Sequence, residues 1–136
     1  MDIQDLRTLY NSTYYANYHL VLVTKHRRKC ISPEMLVRLK EISTRIISTW
    51  EGELLEFNGE SDHVHLLLSI PPKVAPSALV NNLKTVTARL IRKEFAGALA
   101  KVYDKPVFWS RSYCIITCGG APLSILKQYI EQQGQD

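Results

Sequence analysis

The stretch Ser61-Asp62-His63-Val64-His65-Leu66-Leu67-Leu68-Ser69-Ile70-Pro71-Pro72 sets two imidazoles into an otherwise apolar run that ends on a proline pair. Successive strand side chains point to opposite faces. A strand from His63 to Ile70 therefore puts Val64, Leu66, Leu68 and Ile70 on one apolar face and His63 and His65 together on the other. Pro71 and Pro72 cannot donate to a ladder and end it. Two imidazoles at this spacing form a ready two-nitrogen metal clamp. The same spacing also fits two polar residues on a solvated strand face, and a second element is needed to choose.

Outward from this strand, Glu53 to Asn58 reads as a preceding strand and Asn58-Gly59 as part of a turn. Before it, Ser32-Pro33-Glu34 opens a helix with a capping hydroxyl, a proline in the first turn and an acid at the positive end of the dipole. Its apolar stripe is Leu36, Leu39, Ile42, Ile46 and Trp50, and Gly52 stops it. Tyr18 to Thr24 alternates and is rich in β-branched residues, as a first strand would be. Residues 1–17 are expected to be an N-terminal extension and 18–136 a single domain.

On the other side, Pro76-Ser77 starts a second helix with apolar positions at Leu79, Leu83, Val86, Leu90 and Ile91. Gly97 to Arg111 reads as a partly irregular connection, and Ser112 to Cys118 as a fourth strand. After Gly119-Gly120 and Pro122, Ser124 to Gln133 reads as a short helix. There Tyr129 and Gln133, four apart, share one face, while Leu123, Leu126 and Ile130 form a neighbouring apolar stripe. The order is β-α-β-β-α-β plus one helix, an α+β class chain with the ferredoxin-like, RRM-like split pattern and an antiparallel sheet. The first and third strands are then central neighbours, both long helices cover the Val64 face, and the histidine face is left for the last helix.

Tyr18-His19-Leu20-Val21-Leu22-Val23-Thr24-Lys25, Asp62-His63-Val64-His65, Trp109-Ser110-Arg111-Ser112-Tyr113 and Tyr129-Ile130-Glu131-Gln132-Gln133 follow one another in an order and spacing that resembles the His-hydrophobe-His endonucleases. Within them the chain is similar to the single-tyrosine transposases of the insertion-sequence 200/605 type, over about residues 18 to 133. The resemblance implies a DNA transposase that cuts and rejoins single-stranded DNA at hairpin-marked ends of a mobile element. It implies that Tyr129 attacks to give a 5′-phosphotyrosine and a free 3′-hydroxyl. It further implies a homodimer in which the tyrosine helix of one subunit can meet the histidines of the other, and Gly119-Gly120 fits the hinge such an exchange needs. Other readings are a domesticated nickase or a replication-initiator-like nuclease, or a non-catalytic single-stranded nucleic-acid binder, although the stacking aromatics of RNA-recognition sheets are absent.

A phenol has a pKa near about 10, so Tyr129 needs a cation that favours the phenolate or polarises the phosphate. His63, His65 and Gln133 are the expected ligands. All three are neutral, which leaves the ion its full charge and suits Mg²⁺ or Mn²⁺ without excluding Zn²⁺. Asp62, one residue out of phase, is expected as a turn or supporting residue. The covalent link conserves the phosphodiester energy, and the chain contains no G-x-x-x-x-G-K-[ST] run.

With 136 residues, a net charge of +4 and a pI near 9.0, the chain suits one domain with a modest bias toward polyanions. Lys25, Arg27, Arg28, Lys84, Arg89, Arg92 and Arg111 are the candidate DNA contacts. Cys30, Cys114 and Cys118 show neither zinc-ligand pairing nor a disulfide framework. No apolar run is long enough for a membrane span and no signal segment is recognisable, so no membrane partner and a cytoplasmic location are expected.

Overall fold

The structure, a computed structural model, describes residues 15–118. Strand β1, Ala16–Thr24, runs into a single 3-10 turn at Lys25–Arg27, followed by helix α1, Pro33–Thr49. Strands β2, Glu53–Gly59, and β3, His63–Ile70, form a hairpin. Helices α2, Pro76–Glu94, and α3, Ala96–Ala100, precede strand β4, Trp109–Thr117. The sheet order is β2-β3-β1-β4 and every neighbouring pair is antiparallel. The two long crossovers thus leave β1 and β3 side by side at the centre, as the split pattern requires.

Strand β3 has the expected bounds because its register with β1 runs without a shift from His63 to Ile70 and Pro71 cannot extend the ladder. On one face Leu20 lies opposite Leu66 and Leu22 opposite Val64. These residues join Leu68, Ile70, Met35, Leu39, Ile42, Ile47, Leu79, Val80, Leu83 and Ile91 in one core cluster. At about 1.5–3 kcal/mol per fully buried aliphatic side chain, this layer carries most of the fold.

Several local expectations are corrected. β1 begins at Ala16, two residues early, because Ala16 and Asn17 still pair with Ile70 and Ser69. The α1 stripe is centred on Met35, Leu39, Ile42, Ser43 and Ile47. Trp50 sits at its edge, where its indole N–H donates to Asn82 Oδ1 on α2 at 3.0 Å. Asn58 and Gly59 are strand residues opposite His65 and Val64, and the reversal comes next, closed by Glu60 N–H donating to His63 O at 2.8 Å. A Cβ at Gly59 would lie 2.5 Å from Leu36 Cδ2 and 3.0 Å from Val64 Cγ1, so a side chain there would have to displace the Leu36 tip. β4 starts at Trp109, three residues early, since Trp109 pairs with Thr24 beyond an irregularity in the β1 ladder. The connection expected to be irregular contains the short α3.

Candidate active site on the histidine face

Opposite the core, the sheet presents His63, His65 and Leu67 from β3 and His19, Val21 and Val23 from β1. The register places Val23 against His63, Val21 against His65 and His19 against Leu67. His63 is 5% exposed, His65 4% and His19 2%. Burial this deep excludes the reading of the pair as polar residues on a solvated strand face.

Each expected ligand imidazole has its Nδ1 engaged. His63 Nδ1 lies 2.6 Å from Asp62 Oδ1, and the other carboxylate oxygen of Asp62 is 3.6 Å from Arg27 Nη2. Burial alone would raise the Asp62 pKa, but the His63 hydrogen bond and charge and the Arg27 guanidinium outweigh it and hold the carboxyl below its ordinary value. His65 Nδ1 lies 3.4 Å from His19 Nε2, with the two rings stacked at 5.6 Å. Burial, with the charges of His63 and His19, pulls the His65 pKa down to about 4, and burial also lowers that of His19. His65 is therefore a neutral ring near neutral pH, the form that ligates a metal.

The opposite nitrogens, His63 Nε2 and His65 Nε2, are buried with no hydrogen-bond partner among the described residues. Leaving such an atom unsatisfied costs about 1–3 kcal/mol, and a cation would use both lone pairs. Among the described residues no third His, Cys, Asp or Glu joins them in a metal-holding group. Tyr129 and Gln133, and the Gly119-Gly120 joint, lie outside the described residues.

Two other tyrosines are placed away from the histidine face. Tyr113 is opposite Leu22, on the core face of the sheet, under Lys84 Nζ at 5.3 Å from its ring centre. Tyr103 donates its hydroxyl to Lys25 O at 2.7 Å. Burial, followed by its contact with Cys30, pushes the Tyr103 pKa up to about 12, further from a nucleophilic phenolate.

The basic residues divide. In the turn after β1, His26 and Arg27 hold left-handed backbone angles, φ 59° and 52°. Lys25 N–H donating to Phe108 O at 2.8 Å and Thr24 Oγ1 donating to Arg28 O at 2.7 Å pin that turn. Lys25 and Arg28 line a groove of about 560 Å³ together with His26, Tyr103 and Lys105. Lys84 instead donates to the carbonyls of Ser110 and Arg111 at 2.8 and 3.0 Å, tying α2 to β4. Arg89 and Arg111 are exposed and Arg92 half-buried. Sequence reasoning missed His19, which no spacing rule marks. The signal was its parity with Val21, legible only once the β1–β3 register is known.

Comparison with known proteins bears on the family and the fold. The family described as "Transposase IS200 like" matches residues 12–133. The transposase for insertion sequence element IS200 of Salmonella typhimurium is 30% identical over 129 residues, 95% of this chain and 84% of that one. The ISDra2 transposase TnpA of Deinococcus radiodurans is 32% identical over 120 residues, 88% and 85% of the two chains. A crystal structure from Deinococcus radiodurans R1, assigned as a transposase, superposes with a TM-score of 0.71 at 31% identity, covering 88% of this chain and 92% of that one. A REP-associated tyrosine transposase bound to a REP hairpin shares the fold at a TM-score of 0.58 and 11% identity, covering 86% and 61%. Sequence, sheet order and buried histidine pair converge on one conclusion: this chain belongs to the IS200-like transposase family.

Proposed function

We propose that this chain cuts and rejoins single-stranded DNA at the hairpin-marked ends of a mobile element, with Tyr129 as nucleophile. The observation that carries the reading is the pair of buried Nε2 atoms on His63 and His65, each without a hydrogen-bond partner among the described residues. These two nitrogens and the Gln133 amide oxygen would hold a divalent cation, Mg²⁺ or Mn²⁺. When bound, the cation supplies positive charge to the non-bridging phosphate oxygens.

Around it the chain's own groups do the work. The Tyr129 oxygen forms a bond to phosphorus as the bond to the 3′ oxygen breaks, leaving a 5′-phosphotyrosine and a 3′-hydroxyl. A 3′-hydroxyl later attacks the same phosphorus, and the phenol leaves. Lys25, Arg27, Arg28, Arg89, Arg92 and Arg111 would meet phosphates and set register, as distributed cations do, and Lys84 would act mainly through β4. Residues 18–136 would act as one domain, in a homodimer whose tyrosine helix, hinged at Gly119-Gly120, can dock on either subunit. Among the described residues no helix is long and apolar enough to cross a membrane, and the proposed site of action is the cytoplasm.

Incubation with labelled single-stranded hairpins, followed by mapping of the adducted peptide, tests the assignment. The expected adduct is on Tyr129, lost in Tyr129→Phe, with His63→Ala inactive yet still binding the hairpin. An adduct on Tyr113, or undiminished cleavage by Tyr129→Phe, would overturn it.

A further inference from the structure

A neutral imidazole has one lone pair, and whichever nitrogen carries the proton cannot ligate a metal. On the histidine face both rings have Nδ1 against a neighbouring side chain, and Nε2 without a hydrogen-bond partner among the described residues. For His63 the neighbour is a carboxylate oxygen at 2.6 Å, an acceptor, so Nδ1 holds the proton and donates. Arg27, 3.6 Å from the second oxygen of Asp62, keeps that carboxylate turned toward the ring.

For His65 the neighbour is another imidazole, and two arrangements are open. If His19 Nε2–H donates, His65 accepts at Nδ1, carries its own proton on Nε2, and presents a buried N–H where the site needs a lone pair. If His65 Nδ1–H donates to His19 Nε2, the lone pair is on His65 Nε2. Only the second leaves a ligand. His19 is itself 2% exposed, and its ring stacks on His65 with an interplanar angle of 19°, so it is held in place to accept.

We propose that Asp62 and His19 are positioning residues that fix His63 and His65 in the same Nδ1–H tautomer, leaving both Nε2 lone pairs for the cation. The proposal rests on the metal reading above. Neither residue is itself a ligand, because Asp62 Oδ1 and His19 Nε2 both face the Nδ1 side of their rings. Such supporting contacts orient a ligand ring and raise its basicity, and losing one typically weakens metal binding roughly 10–100-fold.

Two measurements on the full chain test this. Nitrogen NMR of the metal-free protein should show Nδ1–H on both His63 and His65, and an Nε2–H on either overturns the proposal. Mn²⁺ affinity, read by electron paramagnetic resonance, should fall about 10–100-fold in Asp62→Ala and in His19→Ala. Asp62→Asn and His19→Gln each keep an oxygen acceptor, and they should recover part of the loss. Unchanged affinity in the alanine variants, or conservative variants no better than alanine, overturns the positioning role. His63→Ala and His65→Ala serve as controls: Mn²⁺ binding that survives in both would sink the metal reading instead, while the parent tautomers still decide what Asp62 and His19 do.

Discussion

The two faces of this sheet are built from alternate residues of the same strands and are both buried, yet they obey different rules. Toward the helices, Val64, Leu66, Leu68 and Ile70 meet Leu20 and Leu22, each at most 2% exposed. Thr87, a polar side chain admitted there, is paired twice: its Oγ1 donates to Leu83 O at 2.6 Å and accepts from Trp109 Nε1 at 2.9 Å. Toward the histidines, burial is as deep but two ring nitrogens have no hydrogen-bond partner among the described residues. One face pairs a buried hydroxyl with two partners, whereas the other leaves two buried ring nitrogens without a hydrogen-bond partner among the described residues.

The largest effect that sharpens the contrast is Leu66→Ala. Leu66 is fully buried between Leu20 and Phe57 on the neighbouring strands. The truncation should cost about 2–5 kcal/mol in chemical denaturation, by lost transfer energy and a residual cavity. A cost under about 1 kcal/mol would mean the helix-side layer is not close-packed.

The next test is acid. The folded pKa of His65 lies below its ordinary 6.5, at about 4. The unfolded chain therefore binds the proton more readily, and the contribution of His65 to stability is complete above 6.5 and lost as pH falls toward 4. Urea midpoints of the metal-free protein should fall across that window, and the fall should be shallower in His65→Leu. The depressed Asp62 carboxyl adds a loss of the same sign, so the difference between parent and variant is the decisive quantity. Identical pH profiles would show that the histidine face does not resist protonation.

A smaller effect belongs to the helix side. Thr87→Val keeps the shape but leaves the buried Trp109 N–H without its acceptor, at an expected cost of about 1–3 kcal/mol. No measurable loss would contradict the claim that this face keeps its polar groups satisfied.

How much of this was legible depended on whether a feature is local. The bounds of β3, the Ser32 cap and the order of the elements follow from alternation, proline chemistry and capping, all written in neighbouring residues. The cap is present as expected, Ser32 Oγ accepting from Met35 N–H at 3.2 Å. Features that depend on a partner element were misread. Asn58-Gly59 has turn chemistry, but both residues pair with β3 and the reversal falls after them. The helix stripes shifted because Ser43 and Thr87 are buried polar residues that an apolar template skips. The start of β4 at Trp109-Ser110-Arg111 looks like a connection because β4 is an edge strand, paired only with β1 among the described residues. That His63 and His65 share one face was legible from their spacing, whereas the place of His19 beside them depends on inter-strand register, a tertiary property.

The smallest predicted effect has the opposite sign and is the sharpest test of the contrast. Replacing His65 alone would remove one unsatisfied nitrogen but also the ring that His19 Nε2 faces. Replacing both, His19→Leu with His65→Leu, removes the facing nitrogens together and leaves apolar groups of similar volume in a buried layer beside Leu67 and Cys118. Exchange of both partners for apolar groups of like shape is neutral to stabilising, so the metal-free double variant should gain on the order of 1 kcal/mol. That corresponds to a rise of roughly 4 °C in Tm for a chain of this size. Added Mn²⁺, which should stabilise the parent by binding its folded state, should no longer raise the Tm of the variant. A destabilised double variant would mean that the imidazoles hold the sheet together, and the two faces would then follow the same rule.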